Sequence, residues 1–219
     1  MVESITTYGT KKHKRGSVRA NIVKANIPVQ NGIVHLIDRP LVVMANTLYE
    51  HLCEKKANVR EDAFGLNYQE SVQDQLRFSE FSKYLQKFPL LCERIRSTSD
   101  ATLLVPTNEA FKSLSPEELK SRMTEDGERI MGLHYLDHPP AILADDVRVT
   151  RPQADSGVYS ERASFPDNAK DRIWFWTLDG QLHIDGGGVD VEVVEANIRA
   201  SNGVIHSINK VNFLMILIS

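Results

Sequence analysis

Several shortages shape the reading of this sequence. Its 219 residues include only two cysteines and 7% aromatics, with no excess of positive charge and no long apolar run. Lys plus Arg number 26 against 29 Asp plus Glu, giving a formal net charge of −3. Affinity for phosphate backbones rests on a positive excess, so composition argues against a nucleic-acid partner. A membrane-crossing helix needs about 20 apolar residues in a row. The longest candidate, Phe213 to Ser219, falls far short of that, and reads as a strand or a cut-off apolar tail. No Asn-x-Ser/Thr acceptor occurs, so glycosylation supplies no argument for secretion. The opening Met1 to Thr7 has neither the basic lead nor the apolar stretch of a signal peptide, which taken literally means a cytosolic protein. Cys53 and Cys92 are either one disulfide or two buried thiols, and do not decide the compartment.

What is present is ordinary globular material, 42% hydrophobic and 25% charged, enough to bury a core without staples. An internal repeat organises it. Val23-Lys24-Ala25-Asn26-Ile27 through Asn31-Gly32-Ile33-Val34-His35 recurs as Val194-Glu195-Ala196-Asn197-Ile198 through Asn202-Gly203-Val204-Ile205-His206. Both copies read as strand, tight turn, strand, with the Asn-Gly pair expected to supply the two positive φ values of a type I′ turn. The separation is too long for a solenoid unit and fits two successive domains ending in the same hairpin. Residues 1–43 are therefore expected to be the C-terminal part of one domain and 44–215 a complete second one. On that expectation the chain is a fragment, and its lack of a leader says little about the parent.

Within the second unit, apolar spacing predicts a short helix over 47–57 and a stronger one over 78–91, carried by Phe78, Phe81, Leu85 and Phe88. Thr102 to Val105 reads as a buried strand stopped by Pro106. Ser115-Pro116-Glu117-Glu118 is a helix start, with a serine cap, proline at the first position and Glu118 closing a capping box. A further helix is predicted over 125–136. Strands follow at 147–150, 172–178, 181–185, 189–199 and 203–209, with Gly186-Gly187-Gly188 as a hairpin turn. Helices segregated ahead of strands predict the α+β class.

Thr102-Leu103-Leu104-Val105-Pro106-Thr107-Asn108-Glu109-Ala110-Phe111 resembles the first signature of the fasciclin domain family. Asn202-Gly203-Val204-Ile205-His206-Ser207-Ile208 resembles its second, and Leu133-His134-Tyr135-Leu136 and Asp145-Asp146-Val147 stand where the family has its central segment. Residues 58–77 and 151–171 read as insertions. The resemblance implies a fasciclin-like β-sandwich wedge flanked by helices, working outside the cell at a surface or in the matrix. Its implied role is adhesion, with other fasciclin domains (homophilic) or extracellular matrix and cell-surface receptors as partners. Many relatives carry a C-terminal lipid anchor, a signal that Phe213 to Ser219 is too short to show.

The departures from the family pattern bear on partners. Some members bind integrins through a Tyr-His pair, whereas here His134 follows Leu133 and precedes Tyr135. An Asp-Ile pair linked to integrin binding reads Asn197-Ile198 here, which removes a carboxylate that would ligand a metal ion. No Arg-Gly-Asp occurs. Contact between fasciclin domains thus ranks above integrin binding, and His134, Tyr135, Asn197 and Ile198 remain the residues to watch for interaction.

Chemical alternatives are weaker. His134 and His138, four apart, would share a helix face with Asp137 and Asp145 as further metal ligands, unless Pro139-Pro140 ends the helix and leaves His134 as an interior histidine. No Glu stands between them as a hydrolytic base. His35 and His206 recur at one hairpin position and read as structural, each fixing backbone. Asn108 reads as a cap or turn residue. The run Lys11 to Arg15 would suit heparan or acidic lipid heads, or a nuclear signal, or simply be a solvated loop. Trp174 and Trp176 share one face of a strand opposite Phe175, forming an interaction patch if exposed. Burial beneath 151–171 is the competing reading. No catalytic set, cofactor motif or metal site is expected, and binding of a small apolar ligand is a third class that would need a deep apolar pocket.

Overall fold

The computed structural model describes residues 2–6, 16–38, 41, 46–54, 77–137, 141–147, 159–162, 172–186 and 189–211. The Lys11–Arg15 run, His138, Gly187-Gly188 and the C-terminal apolar stretch lie outside these residues.

The chain opens with two small antiparallel sheets. One pairs β1 (Val2–Thr6) with β2 (Gly16–Ala20), and the other pairs β3 (Ile22–Val29) with β4 (Gly32–Ile37). A helical stretch follows. The first helix, α1 (Leu48–Leu52), is opened by a capping box: the Thr47 hydroxyl accepts from the Glu50 N–H at 3.2 Å, and the Glu50 carboxylate accepts from the Thr47 N–H at 2.9 Å. It stops at Leu52, and residues 55–57 of the longer expected helix lie outside the description.

The single helix expected over 78–91 is instead two, α2 (Ser79–Leu85) and α3 (Pro89–Ser97). Proline at 89 has no N–H to continue the ladder and pushes Phe88 out of the helical region, to φ −116 and ψ 78. The apolar stripe survives the break, because Phe78, Phe81 and Leu85 are all buried. Cys53 and Cys92 are bonded to each other, with Cα atoms 6.0 Å apart, tying the end of α1 to α3.

Beyond β5 (Ala101–Pro106) come α4 (Asn108–Lys112), α5 (Pro116–Glu125) and α6 (Gly127–Gly132). Ser115 caps α5 by accepting from the Glu118 N–H at 3.1 Å. The Glu118 carboxylate reaches forward to Arg122 at 2.8 Å. The helix expected to run to 136 ends at Gly132. Tyr135–Leu136 are claimed by strand pairing with β5 as β6, through Thr102↔Leu136 and Leu103↔Tyr135.

The remaining strands are β7 (Tyr159–Arg162), β8 (Arg172–Leu178), β9 (Gln181–Gly186), β10 (Asp190–Ala200) and β11 (Gly203–Ile208). Together with β5 and β6 they form a curled seven-stranded sheet in the order β6-β5-β11-β10-β9-β8-β7. Every pairing is antiparallel except β11 with β5. Strand β10 joins the two halves: Asp190 to Glu192 pair with β9, and Val193 to Ala200 pair with β11 across bulges.

Among the described residues two large apolar clusters fill the unit, beside a small third of Ala141, Leu143 and Val204. Leu103 and Val105 of β5 and Ile205 of β11 face the helices, against Leu48, Phe81 and Ile95. Leu104 and Ile208 face the other way, against Phe175, Ile184 and Val191. Strands β5 and β11 are thus walls shared by both clusters, which is why they are buried throughout rather than alternating.

One turn assignment is corrected. The type I′ signature lies at Asp179-Gly180, between β8 and β9, with φ of 51° and 81°. The Asn-Gly pairs do not provide it, because neither Asn31 nor Asn202 has a positive φ. The loop between paired Ala200 and Gly203 is Ser201-Asn202, so Gly203 already belongs to β11.

Candidate functional site

Asn202 shows what the turn residue does instead. It is buried, its Oδ1 accepts from the Leu48 N–H at 2.7 Å, and its Nδ2 donates to the Ile95 and Thr98 carbonyls at 3.2 and 3.3 Å. One side chain therefore serves the open amide at the start of α1 and the carbonyl end of α3. Gly203 follows for lack of room: a Cβ there would lie 2.1 Å from the Ala101 carbonyl and 2.7 Å from Leu48 Cδ1. Sequence reading missed Asn202 as a tie between elements. The available signal was its recurrence as Asn31, taken only as turn chemistry.

His206 binds backbone at both ring nitrogens. Nδ1 accepts from the Asn197 N–H at 3.3 Å, and Nε2–H donates to the Ile142 carbonyl at 2.8 Å, which requires the neutral ring. Asn197 sits in the left-handed region at φ 61°, and its Oδ1 accepts from the Ala144 N–H at 3.0 Å. Ile198 is half-buried against the helix-side cluster. In the first hairpin Asn26, at φ 56°, likewise donates its N–H to His35 Nδ1, at 3.2 Å.

His134 and Tyr135 are both 0% exposed. His134 Nδ1–H donates to the Ile130 carbonyl at 2.7 Å, and its ring lies 5.4 Å from that of Phe81. Burial pulls its pKa down to about 4, partly opposed by that hydrogen bond. The Tyr135 phenol is pushed upward, by burial first and by the Asp137 charge second. Neither ring reaches the folded surface to meet a partner. The shared helix face needed for a His134–His138 metal site is also absent, because α6 ends at Gly132. Asp137 accepts a 2.5 Å hydrogen bond from Thr98 Oγ1. Among the described residues no group of three or more His, Cys, Asp or Glu side chains is placed to hold a metal ion.

Asn108 caps, but not its own helix. Thr107 caps α4 by accepting from the Ala110 N–H. Asn108 Oδ1 accepts from the Glu80 N–H at 3.1 Å and its Nδ2 donates to Ser79 Oγ, so it closes the start of α2.

Trp174 and Trp176 lie on the face of β8 opposite Phe175. Trp176 is only 4% exposed and stacks on His183, with centroids 5.9 Å apart and planes 16° apart. His183 Nδ1 lies 3.1 Å from Asp190 Oδ1. Trp174 is half-buried, paired with Asp185 on one side and Ser160 of β7 on the other. A groove of about 310 Å³ runs beside the β10 bulge, lined by Ala144, Gln181, Val194 and Asn197 among others. It is shallow and largely polar, unlike the deep apolar pocket that a small apolar ligand needs.

Short helices packed on one end of a curled mixed sheet, with histidines and asparagines spent on backbone hydrogen bonds, define an α+β domain. The fasciclin domain family profile matches residues 76–212, and the chain belongs to that family. It is 28% identical to Fasciclin-1 of Drosophila melanogaster over 96% of its own length and 29% of the relative's. To Fasciclin-1 of Schistocerca americana it is 31% identical, over 96% of its own length and 28% of the relative's. The chain thus spans under a third of the length of these curated relatives. Its fold is shared with the solved FAS1 domain pair of the insect cell adhesion molecule fasciclin I, at TM-score 0.51 and 17% identity, covering 95% of this chain and 65% of that one.

Proposed function

We propose that the chain is an extracellular cell-adhesion module without enzymatic activity, acting through weak multivalent contacts between fasciclin domains. Membership of the fasciclin domain family carries this reading. Two features of the site agree with it. The residues best suited to chemistry, His134 and His206, are buried and hydrogen-bonded to backbone carbonyls. The Cys53–Cys92 bond suits an oxidising compartment. A single weak contact between apposed surfaces gains strength when several domains are tethered together, because each later contact forms at a high effective concentration.

Aggregation of beads coated with the protein, at physiological salt, tests the reading. Clumping that persists in a chelator is expected from metal-independent homophilic contact. Beads that stay dispersed at high surface density, yet are captured by matrix-coated surfaces, would overturn the homophilic part and favour matrix or receptor binding.

A further inference from the structure

Strands β9 and β10 separate before either ends. Their ladder runs from Asp190↔Asp185 to Glu192↔His183, yet β9 reaches back to Gln181 and β10 continues to Ala200. Past Glu192, β10 keeps β11 on one edge, and among the described residues no strand pairs with the other. The bonds of this stretch show which way its backbone faces. Glu192 turns both groups toward the end of β11, accepting from the Asn209 N–H and donating to Asn209 Oδ1, each at 3.1 Å. Successive residues of a strand point to opposite edges, so Val191 and Val193 face the β9 side. Val191 meets Ile184 there. Val193 lies past the ladder, and its carbonyl accepts from the side-chain amide of Gln181. A glutamine Nε2–H thus stands where the N–H of a neighbouring strand would.

The groove already described follows this edge. Leu182 and Val193 line it as buried side chains, and Val194 beside them is 56% exposed. Gln181 stands at its Val193 end through the amide bond, and Ala144 at its far end through the bond to Asn197. The strand edge between, from Val193 to Ala196, is long enough for about four extended residues, roughly 13 Å. None of the described residues that line the groove carries a charge. Glu195, on the same stretch of β10, is held by Arg77 at 2.6 Å.

We propose that the β10 edge from Val193 to Ala196 binds a short extended segment of a partner polypeptide, uncharged and bearing β-branched side chains. The segment adds to β10 as a strand, on the track that β9 leaves. The Gln181 amide swings aside, and a main-chain N–H of the segment takes its place on the Val193 carbonyl. Val194 packs against one of the segment's side chains. The groove selects this occupant by its chemistry. Its polar lining and its unpaired strand edge match a peptide backbone, and a charged side chain laid in it would find no opposite charge in the lining. A neutral sugar would find no aromatic ring to stack on among the described lining residues. The group recognised is a main chain, which goes beyond contact between folded fasciclin domains.

The test is an NMR titration of the isotope-labelled chain with the blocked peptide acetyl-Thr-Val-Thr-Val-amide, with the amides of β5 as the internal reference. Saturable shifts are expected at Gln181, Val193, Val194 and Ala196, at millimolar affinity, while β5 stays still. The same peptide N-methylated throughout has no main-chain donor and should shift nothing. Gln181→Ala removes the competing amide and should tighten binding about fivefold. Val194→Asp should weaken it about tenfold, and unmoved β5 and β11 signals show that each variant folds. The absence of saturable shifts in both the parent chain and Gln181→Ala would overturn the proposal, as would equal binding of the N-methylated peptide. Shifts produced by maltotriose and not by the peptide would overturn it in favour of a sugar. Shifts of the same amides that grow with protein concentration, without peptide, would overturn it by making a second copy the occupant.

Discussion

Acid should loosen this fold through two buried imidazoles. His51 on α1 and His134 are each held down to about 4 from an ordinary 6.5, in both cases chiefly by burial. The unfolded chain therefore takes up protons near pH 6.5 while the folded one resists until about pH 4. The neutral rings contribute fully above 6.5, and their contribution falls as pH drops through that window. With those values, going from pH 7.5 to 5.0 costs about 2 kcal/mol per ring and about 4 kcal/mol for the pair, treated as independent. Urea unfolding followed by tryptophan fluorescence at the two pH values measures this loss. Replacing either histidine with a non-titrating residue lowers stability at both pH values, so the decisive quantity is the difference between them. His134→Gln should reduce that difference by about 2 kcal/mol, and His51→Gln with His134→Gln by about 4 kcal/mol. A double variant that keeps the full acid loss would refute the assignment to these rings.

Other consequences follow from the same contacts. Reduction, or Cys53→Ser with Cys92→Ser, opens a link between residues 39 apart in sequence and should cost about 4 kcal/mol in the chain-entropy treatment, seen as a lower urea midpoint. Intact mass after alkylation should show no free thiol until reductant is added. Asn202→Ala strands the Leu48 amide and two carbonyls and should cost about 2–4 kcal/mol, against little for Asn31→Ala in the 219-residue chain. Gly203→Ala should lower the melting temperature by many degrees while Gly32→Ala leaves it nearly unchanged; equal effects would contradict the crowding at position 203. Asn197→Asp keeps an acceptor for the Ala144 amide, so stability should hold within about 0.5 kcal/mol. A larger loss would show that the amide nitrogen matters as well.

The elements read well from sequence are those whose cause is local. Ser115-Pro116 starts α5 and the run of β-branched and aromatic residues Ile173 to Thr177 marks β8 because capping and strand preference act within a few residues. The break at Pro89 was equally local, but the continuous stripe of Phe78, Phe81 and Leu85 concealed it. The early end of α6 had no such local mark. Tyr135–Leu136 leave the helix because β5 offers an edge, and only the folded sheet reveals that competition. Asn202 belongs with these non-local cases, because its partners lie more than a hundred residues away.

Position 197 shows what the fold by itself asks of a residue. The β10 bulge asks for a residue that tolerates a left-handed backbone and carries a short acceptor for the Ala144 amide. Asparagine and aspartate both meet that demand, since either adopts this conformation at small cost. A carboxylate at this position is therefore not needed to hold the bulge in this chain. His134 presents the reverse case. Its ring is enclosed and bonded to Ile130, so its presence in the central segment is explained by packing alone.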